Sequence, residues 1–134
     1  LNPDLLAHIH AATDITGFGL SGHSYQMAKA SQKTFIFKAD LFPLYPRAKE
    51  FIEKEILTKA HRTNREYTEG VLDVGPLSKV MSTLIHDPQT SGGLLLSVSS
   101  NTASLMLEQL RATFPKASIV GEVLNESEKT LHYT

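Results

Sequence analysis

Two short stretches of this chain concentrate residues able to hold an anion or a cation. The first is Thr13-Asp14-Ile15-Thr16-Gly17-Phe18-Gly19. Glycines let a backbone approach a ligand closely. The helix expected just after Gly19 would add free N–H groups and a positive dipole end, both suited to phosphate. A carboxylate at the same place can hold Mg²⁺, which shares its shell with phosphate oxygens and water. The same spacing also serves a plain structural purpose, with Asp14 or Thr16 capping the helix and the glycines making a turn.

The second stretch is Asp87-Pro88-Gln89-Thr90-Ser91-Gly92-Gly93. Asp-Pro starts a turn, and Gln89, Thr90 and Ser91 add three polar side chains. The loop can form a nest of N–H groups for an anion, or a tight helix-to-strand connection that needs glycine torsions. Ser91 lacks the Gly-x-Ser-x-Gly setting of a hydrolase nucleophile. Lys29, Lys33, Arg62 and Arg65 can attract phosphate or simply solvate the surface. His8 and His10 would share a face only on a strand, and His8 falls in or beside an expected helix, so a transition-metal site is not expected.

The bulk composition narrows the function classes. The 134 residues are 41% hydrophobic and 20% charged, with a formal net charge of -1. That suits one globular domain with its own core and carries no basic footprint for nucleic acid. No apolar run approaches the roughly 20 residues of a membrane span, and no signal peptide is visible. The absence of cysteine excludes disulfides, thiolate metal sites and cysteine nucleophiles from this stretch and agrees with a cytoplasmic location. Because the chain starts at Leu1, a piece of a longer chain or a trimmed product is the simplest expectation.

Several elements must position the two loops. Asn2-Pro3-Asp4 reads as a helix start, with Leu5, Leu6 and Ile9 facing inward before the Thr13–Gly19 loop. A helix is expected from about Gly19 to Ser31, with Leu20, Tyr25, Met27 and Ala28 on its apolar side. Thr34 to Ala39 alternates as a strand, with Phe35 and Phe37 on one face. Pro43 and Pro46 precede a helix carrying Leu44, Ala48, Phe51, Ile52 and Ile56. Thr58 to Asp73 is polar and gives no clear pattern. Gly75-Pro76 opens a helix in which Leu77, Val80, Met81, Leu84 and Ile85 follow helical spacing. Leu94 to Ser99 reads as a strand. A helix capped by Ser100 or Asn101 follows, with Ala103, Met106, Leu107, Leu110 and Phe114 inward. Ser118 to Leu124 and Thr130 to Tyr133 read as strands joined by a polar turn. The fold class is α+β: about four strands in a mixed sheet with four or five helices.

The two loops together carry a family resemblance. His10-Ala11-Ala12-Thr13-Asp14-Ile15-Thr16-Gly17-Phe18-Gly19-Leu20-Ser21-Gly22-His23 is similar to the His-Ala-Cys-Thr-Asp-Val-Thr-Gly-Phe-Gly-Leu-Leu-Gly-His segment of the selenophosphate synthetases, also called selenide, water dikinases. Asp87-Pro88-Gln89-Thr90-Ser91-Gly92-Gly93-Leu94-Leu95 resembles that family's second signature. Order and separation agree, and the resemblance covers essentially the whole chain.

The resemblance implies a C-terminal domain like that of aminoimidazole ribonucleotide synthetase, with an ATP-binding N-terminal domain outside this stretch. It implies a reaction in which ATP, selenide and water give selenophosphate, AMP and phosphate, with Mg²⁺ as cofactor and a full-length homodimer. Asp14 matches the aspartate that the C-terminal half gives to the Mg²⁺ cluster. Thr13, Thr16, Gly17 and Gly19 match the loop shaping that site, and Gln89, Thr90 and Ser91 match the second signature. His10 and His23 match histidines expected to orient the Asp14 loop. Ala12 replaces a frequent cysteine, which argues against chemistry there. Asn64 aligns with the asparagine of a Gly-Gly-Thr-x-x-Asn segment, but Lys59-Ala60-His61 replace Gly-Gly-Thr, which removes the support for a role there. The family's catalytic cysteine or selenocysteine, its lysine and most metal-binding aspartates lie outside this stretch. The fragment alone is therefore expected to be inactive and to bind neither Mg²⁺ nor ATP tightly. A non-catalytic anion- or protein-binding module, and part of another ATP-dependent superfamily member, are the alternatives.

Overall fold

A computed structural model describes residues 2–134 of the chain. The architecture is α+β. A four-stranded mixed sheet and a separate two-stranded antiparallel ribbon are joined by short helices. The ribbon pairs β1 (Ile9–Asp14) with β4 (Leu94–Val98). The larger sheet has the order β3 (Leu72–Asp73), β6 (Leu131–Tyr133), β2 (Lys33–Phe37), β5 (Gly121–Asn125). In it β5 runs antiparallel to β2, whereas β6 runs parallel to both β2 and β3.

The helices are α1 (Pro3–Leu6), α2 (Gly19–Ala30), α3 (Ala48–Glu53), α4 (Lys59–Tyr67), α5 (Lys79–Leu84) and α6 (Ala103–Arg111). Local chemistry sets several of their starts. The Asp4 N–H donates to the Asn2 side-chain oxygen at 3.1 Å, with Pro3 in the first turn. The Ser78 hydroxyl caps α5 by accepting from the Met81 N–H at 3.2 Å. Such a cap stabilises a helix by roughly 1 kcal/mol.

The core lies between α2 and the larger sheet. Met27 and Ala28 of α2 meet Phe35, Phe37, Leu131 and Tyr133 of the strands, and Ile85 joins them from the end of α5. Phe37 stacks on Tyr133 with ring centroids 5.3 Å apart. Each such side chain removed from water contributes on the order of 1.5–3 kcal/mol. The alternation that marks Phe35 and Phe37 in sequence is thus the inner face of β2.

Several local expectations change. Ile9 does not belong to the first helix; it opens β1, and Leu6 is exposed. Thr13 and Asp14 end a strand rather than starting a loop, because β4 supplies the pairing partners Leu95 and Leu94. The polar stretch after Thr58 contains α4, whose buried contact is Asn64 rather than an apolar residue. The last two strands are not neighbours, because β2 lies between them. Ile56 and Phe114 lie beyond the ends of α3 and α6 and are largely exposed. At the α6 start the capping position falls on Thr102, without a side-chain cap bond, rather than on Ser100 or Asn101.

Candidate functional site

The ribbon brings the two glycine-bearing loops side by side. Asp14 is the last residue of β1 and pairs with Leu94, the first of β4. Backbone bonds continue the pairing beyond the strands. The Ile15 N–H donates to the Gly93 carbonyl at 2.9 Å, and the Gln89 N–H donates to the Thr16 carbonyl at 3.1 Å. Two glycines permit this closeness. A β-carbon on Gly92 would fall on the Ile15 carbonyl and 2.6 Å from the Gln89 side-chain oxygen. Gly19 has φ +67, and a β-carbon there would lie 2.9 Å from the Asp87 carbonyl oxygen, so it suits neither an L side chain nor the space available.

The first loop is also braced from within. Thr16 Oγ1 lies 2.9 Å from His23 Nε2, and the Phe18 N–H donates to the same nitrogen at 3.4 Å. An accepting Nε2 places the ring proton on Nδ1, so the Thr16 hydroxyl donates. His23 therefore orients the loop, as its sequence position suggests. The N–H groups of Gly19 and Ser21 donate to the carbonyls of Thr16 and Ile85. With Phe18 also committed, the start of α2 offers a ligand fewer free N–H groups than a bare helix terminus. Gly17 is exposed and has open space where a β-carbon would stand.

A third element ties both loops together. Asn64 of α4 is 3% exposed. Its side-chain NH₂ donates to the Gly17 carbonyl at 2.9 Å and to the His86 carbonyl at 3.0 Å. His86 is itself buried, with Nδ1 2.7 Å from the Ser21 hydroxyl. Burial pushes the His86 pKa down to about 4, and His61 and Arg65 push the same way. The imidazole is therefore neutral at pH 7. The neighbouring Asp87 carboxyl is pushed above its ordinary value by burial, opposed by His61. His61 is held at the other side by donating from Nε2 to the Thr83 carbonyl at 2.8 Å.

Asp14 stands apart from this packing. Along β1 the exposed residues are His10, Ala12 and Asp14, whereas Ile9, Ala11 and Thr13 are half-buried. The ion pairs among the described residues do not involve the Asp14 carboxylate. Its cross-strand neighbour Leu94 is 73% exposed. An exposed carboxylate outside those pairs is a hard oxygen donor of the kind Mg²⁺ takes, and Mg²⁺ is commonly held by only one or two carboxylates plus water and phosphate. Asp14 fits one place in such a shell. Among the described residues no group of three or more His, Cys, Asp or Glu is placed to hold a metal.

The other sequence candidates divide clearly. Thr13 lies on the half-buried side, and its hydroxyl donates to the Asp14 carbonyl at 3.3 Å. Gln89 is half-buried in the loop contact, whereas Thr90 and Ser91 are exposed. The Ser91 carbonyl accepts from the Tyr45 hydroxyl at 3.0 Å. His10 does not orient the Asp14 loop. Its Nε2 meets the Ser99 hydroxyl at 2.9 Å, and His8 Nδ1 meets the same oxygen at 3.3 Å. The register shift between Ile9 and Ala11 re-aims side chains at this end of the ribbon.

Residues 2–134 match the model of the AIR synthase related protein, C-terminal domain. The chain belongs to that family. Among curated proteins it is 50% identical over 131 residues to a selenide, water dikinase of Bdellovibrio bacteriovorus, covering 98% of this chain and 37% of the relative. It is 50% identical over 133 residues to the selenide, water dikinase of Nitrosomonas eutropha, covering 99% and 38%. A Clostridium botulinum protein of the same name is 37% identical over 124 residues, covering 92% and 36%. The chain thus spans less than two fifths of the length of these relatives. No helix among the described residues is long and apolar enough to cross a membrane.

Sequence reading alone misses the joint made by Asn64, His86 and Ser21. No local signal marks it: Asn64 is buried, but a polar residue does not stand out in a stretch as polar as Lys59–Tyr67.

Proposed function

We propose that this chain is the C-terminal part of a longer ATP-dependent enzyme that makes selenophosphate from selenide, ATP and water, releasing AMP and phosphate. The observation that carries this reading is the locked pair of signature loops with Asp14 projecting from them, in a chain 50% identical to proteins named selenide, water dikinase. The relatives extend well beyond the matched region, so the remaining ligands and the nucleotide-binding domain are assigned to sequence outside this stretch.

In this reading Asp14 supplies one carboxylate to a Mg²⁺ site shared with that domain. Bound Mg²⁺ neutralises charge on the transferring phosphoryl groups. The chain's own residues hold the position: the Ile15–Gly93 and Gln89–Thr16 backbone bonds fix where β1 ends, and His23 holds Thr16. Leu94, opposite Asp14, belongs to the surface that the other domain covers. Ligand completion and apolar docking then occur on the same face. Thr90 and Ser91 face solvent beside it and are assigned to the edge of the site. The isolated chain, with a single carboxylate, neither turns over nor retains Mg-ATP.

The test is selenide-dependent AMP release by the full-length protein, with and without Asp14→Asn. Activity that needs selenide and Mg²⁺ and is lost on the substitution supports the reading. Turnover unaffected by Asp14→Asn would refute the metal assignment, and absence of selenide-dependent AMP would refute the reaction. Micromolar Mg-ATP binding by this chain alone, measured by calorimetry, would refute the division of labour.

A further inference from the structure

We infer that Asn64 is the positioning residue of this site: its side chain clamps the two loops together and thereby sets where Asp14 presents its carboxylate. The inference rests on the functional reading above for its consequence, but the clamp itself rests on geometry. Asn64 is 3% exposed in the middle of α4. A buried amide donor needs a carbonyl or hydroxyl for each proton, and leaving one unmade costs about 1–3 kcal/mol. Asn64 spends both protons on backbone carbonyls of different loops, Gly17 at 2.9 Å and His86 at 3.0 Å.

Among the described residues, no other buried side chain bonds to the backbone of both segments. Ser21 joins α2 to His86 by side chain only. The contacts between the loops are the two backbone bonds, Ile15 to Gly93 and Gln89 to Thr16, together with the glycine approaches. Those contacts fix the loops relative to each other, and Asn64 adds one bond from α4 to each side of the joint. α4 is anchored in turn. His61 Nε2 donates to the Thr83 carbonyl at 2.8 Å, before the second loop, and Tyr67 packs on Tyr25 of α2 with ring centroids 5.6 Å apart.

Only an NH₂ group serves here. The acceptors are two carbonyl oxygens, so a carboxylate of the same shape would face both with lone pairs. Asn64→Gln would carry the NH₂ one carbon too far for a site this closely filled. The chemistry therefore selects asparagine even though the surrounding helix is highly charged.

The test uses the full-length protein carrying Asn64→Ala, with Asn64→Ser, which buries no charge and keeps a single shorter donor, as a milder variant should the first fold poorly. Amide exchange is followed by mass spectrometry in peptides covering 15–19 and 87–93, with the 131–133 strand as internal reference. The expected result is exchange faster by about tenfold in both loops, the order of factor set by losing a net hydrogen bond or two, with the reference strand unchanged. The Mg²⁺ concentration for half-maximal AMP release should rise by more than kcat falls. Unchanged loop exchange, or an equal rise in the reference strand, would overturn the clamp whether or not the protein is active. Faster loop exchange with an unchanged Mg²⁺ requirement would overturn the link to Asp14. If the unsubstituted protein releases no selenide-dependent AMP, the functional reading fails and the exchange arm still decides the clamp.

Discussion

His86 gives this domain a specific acid sensitivity. Its pKa falls from an ordinary 6.5 to about 4 in the folded chain, with burial as the main cause. A group with a depressed folded pKa binds more protons when unfolded, so stability rises with pH between the two values. The contribution is present above about pH 6.5 and is lost as pH falls toward 4. Linkage across the whole interval amounts to about 3 kcal/mol, of which about 2 kcal/mol falls between about pH 7 and pH 5. Asp87 acts in the opposite sense, because its raised pKa favours the folded state as pH falls. The clean measurement is therefore a difference. Urea unfolding of the unsubstituted chain and of His86→Asn is compared at about pH 7 and about pH 5. Asparagine retains an acceptor near Nδ1 for Ser21 but does not titrate. The gap between the two proteins should shrink by about 2 kcal/mol on acidification. Parallel stability curves would show that His86 titrates normally and that its burial has been misjudged.

Gly92→Ala should separate the two loops, because its β-carbon meets the Ile15 carbonyl. We expect a loss of about 2–3 kcal/mol from the two backbone bonds and local strain, read by chemical denaturation. Asp14→Asn should leave the stability of this chain within about 0.5 kcal/mol, since its side chain is exposed and surface changes are usually that small. Under the proposed function, the same substitution in the full-length protein should weaken Mg²⁺ activation by at least about tenfold, the lower bound known for groups that merely support metal ligands. Ile85→Ala should cost about 2–5 kcal/mol, because that side chain is fully buried between α5 and the sheet; thermal or urea unfolding checks it. Leu94→Lys should be nearly neutral for this chain but should weaken assembly with the rest of the protein, measurable as loss of activity without loss of domain stability.

The parts of the fold legible in the sequence are those governed by local pattern. Phe35 and Phe37 alternate on β2, Val80, Met81 and Leu84 keep helical spacing within α5, though that helix starts after Ser78 rather than at Gly75-Pro76 and leaves Leu77 and Ile85 outside it, and Asn2-Pro3 starts α1; each signal is contained within a few residues. The two loops stand out for a similar reason, since Asp14 and the glycines lie together in the chain, but their spacing alone leaves a cap or turn as open as a ligand site, and it is the resemblance that implies chemistry there. What escapes depends on distant partners. The segment His10-Ala11-Ala12-Thr13 has little strand character of its own, and it is a strand because Leu94–Ser97 runs beside it. The order of the last strands escapes because β6 joins β2 in parallel, a pairing no turn residue specifies.

The same distinction explains why sequence undervalues Asn64 and not Asp14. Asp14 stands at the surface, and it is the resemblance, not its residue type, that singles it out from a helix cap. Asn64 works in the interior, where its meaning lies in two carbonyls, one 47 and the other 22 residues away in sequence. Without Gly-Gly-Thr before it, the local context is gone but those acceptors remain. A buried amide with both protons satisfied is held by its partners rather than by its neighbours in sequence. Asp14 can stand exposed, outside the ion pairs of the described residues, only because something else fixes the backbone that carries it. In this domain that fixing comes from the pairing with β4 and the Ile15–Gly93 and Gln89–Thr16 backbone bonds, to which the inferred clamp of Asn64 adds a bond to each loop. In the proposed reading, the residue offered to the ligand and the residue that holds the loops are therefore of opposite kinds: one open to solvent, the other buried with both amide protons spent.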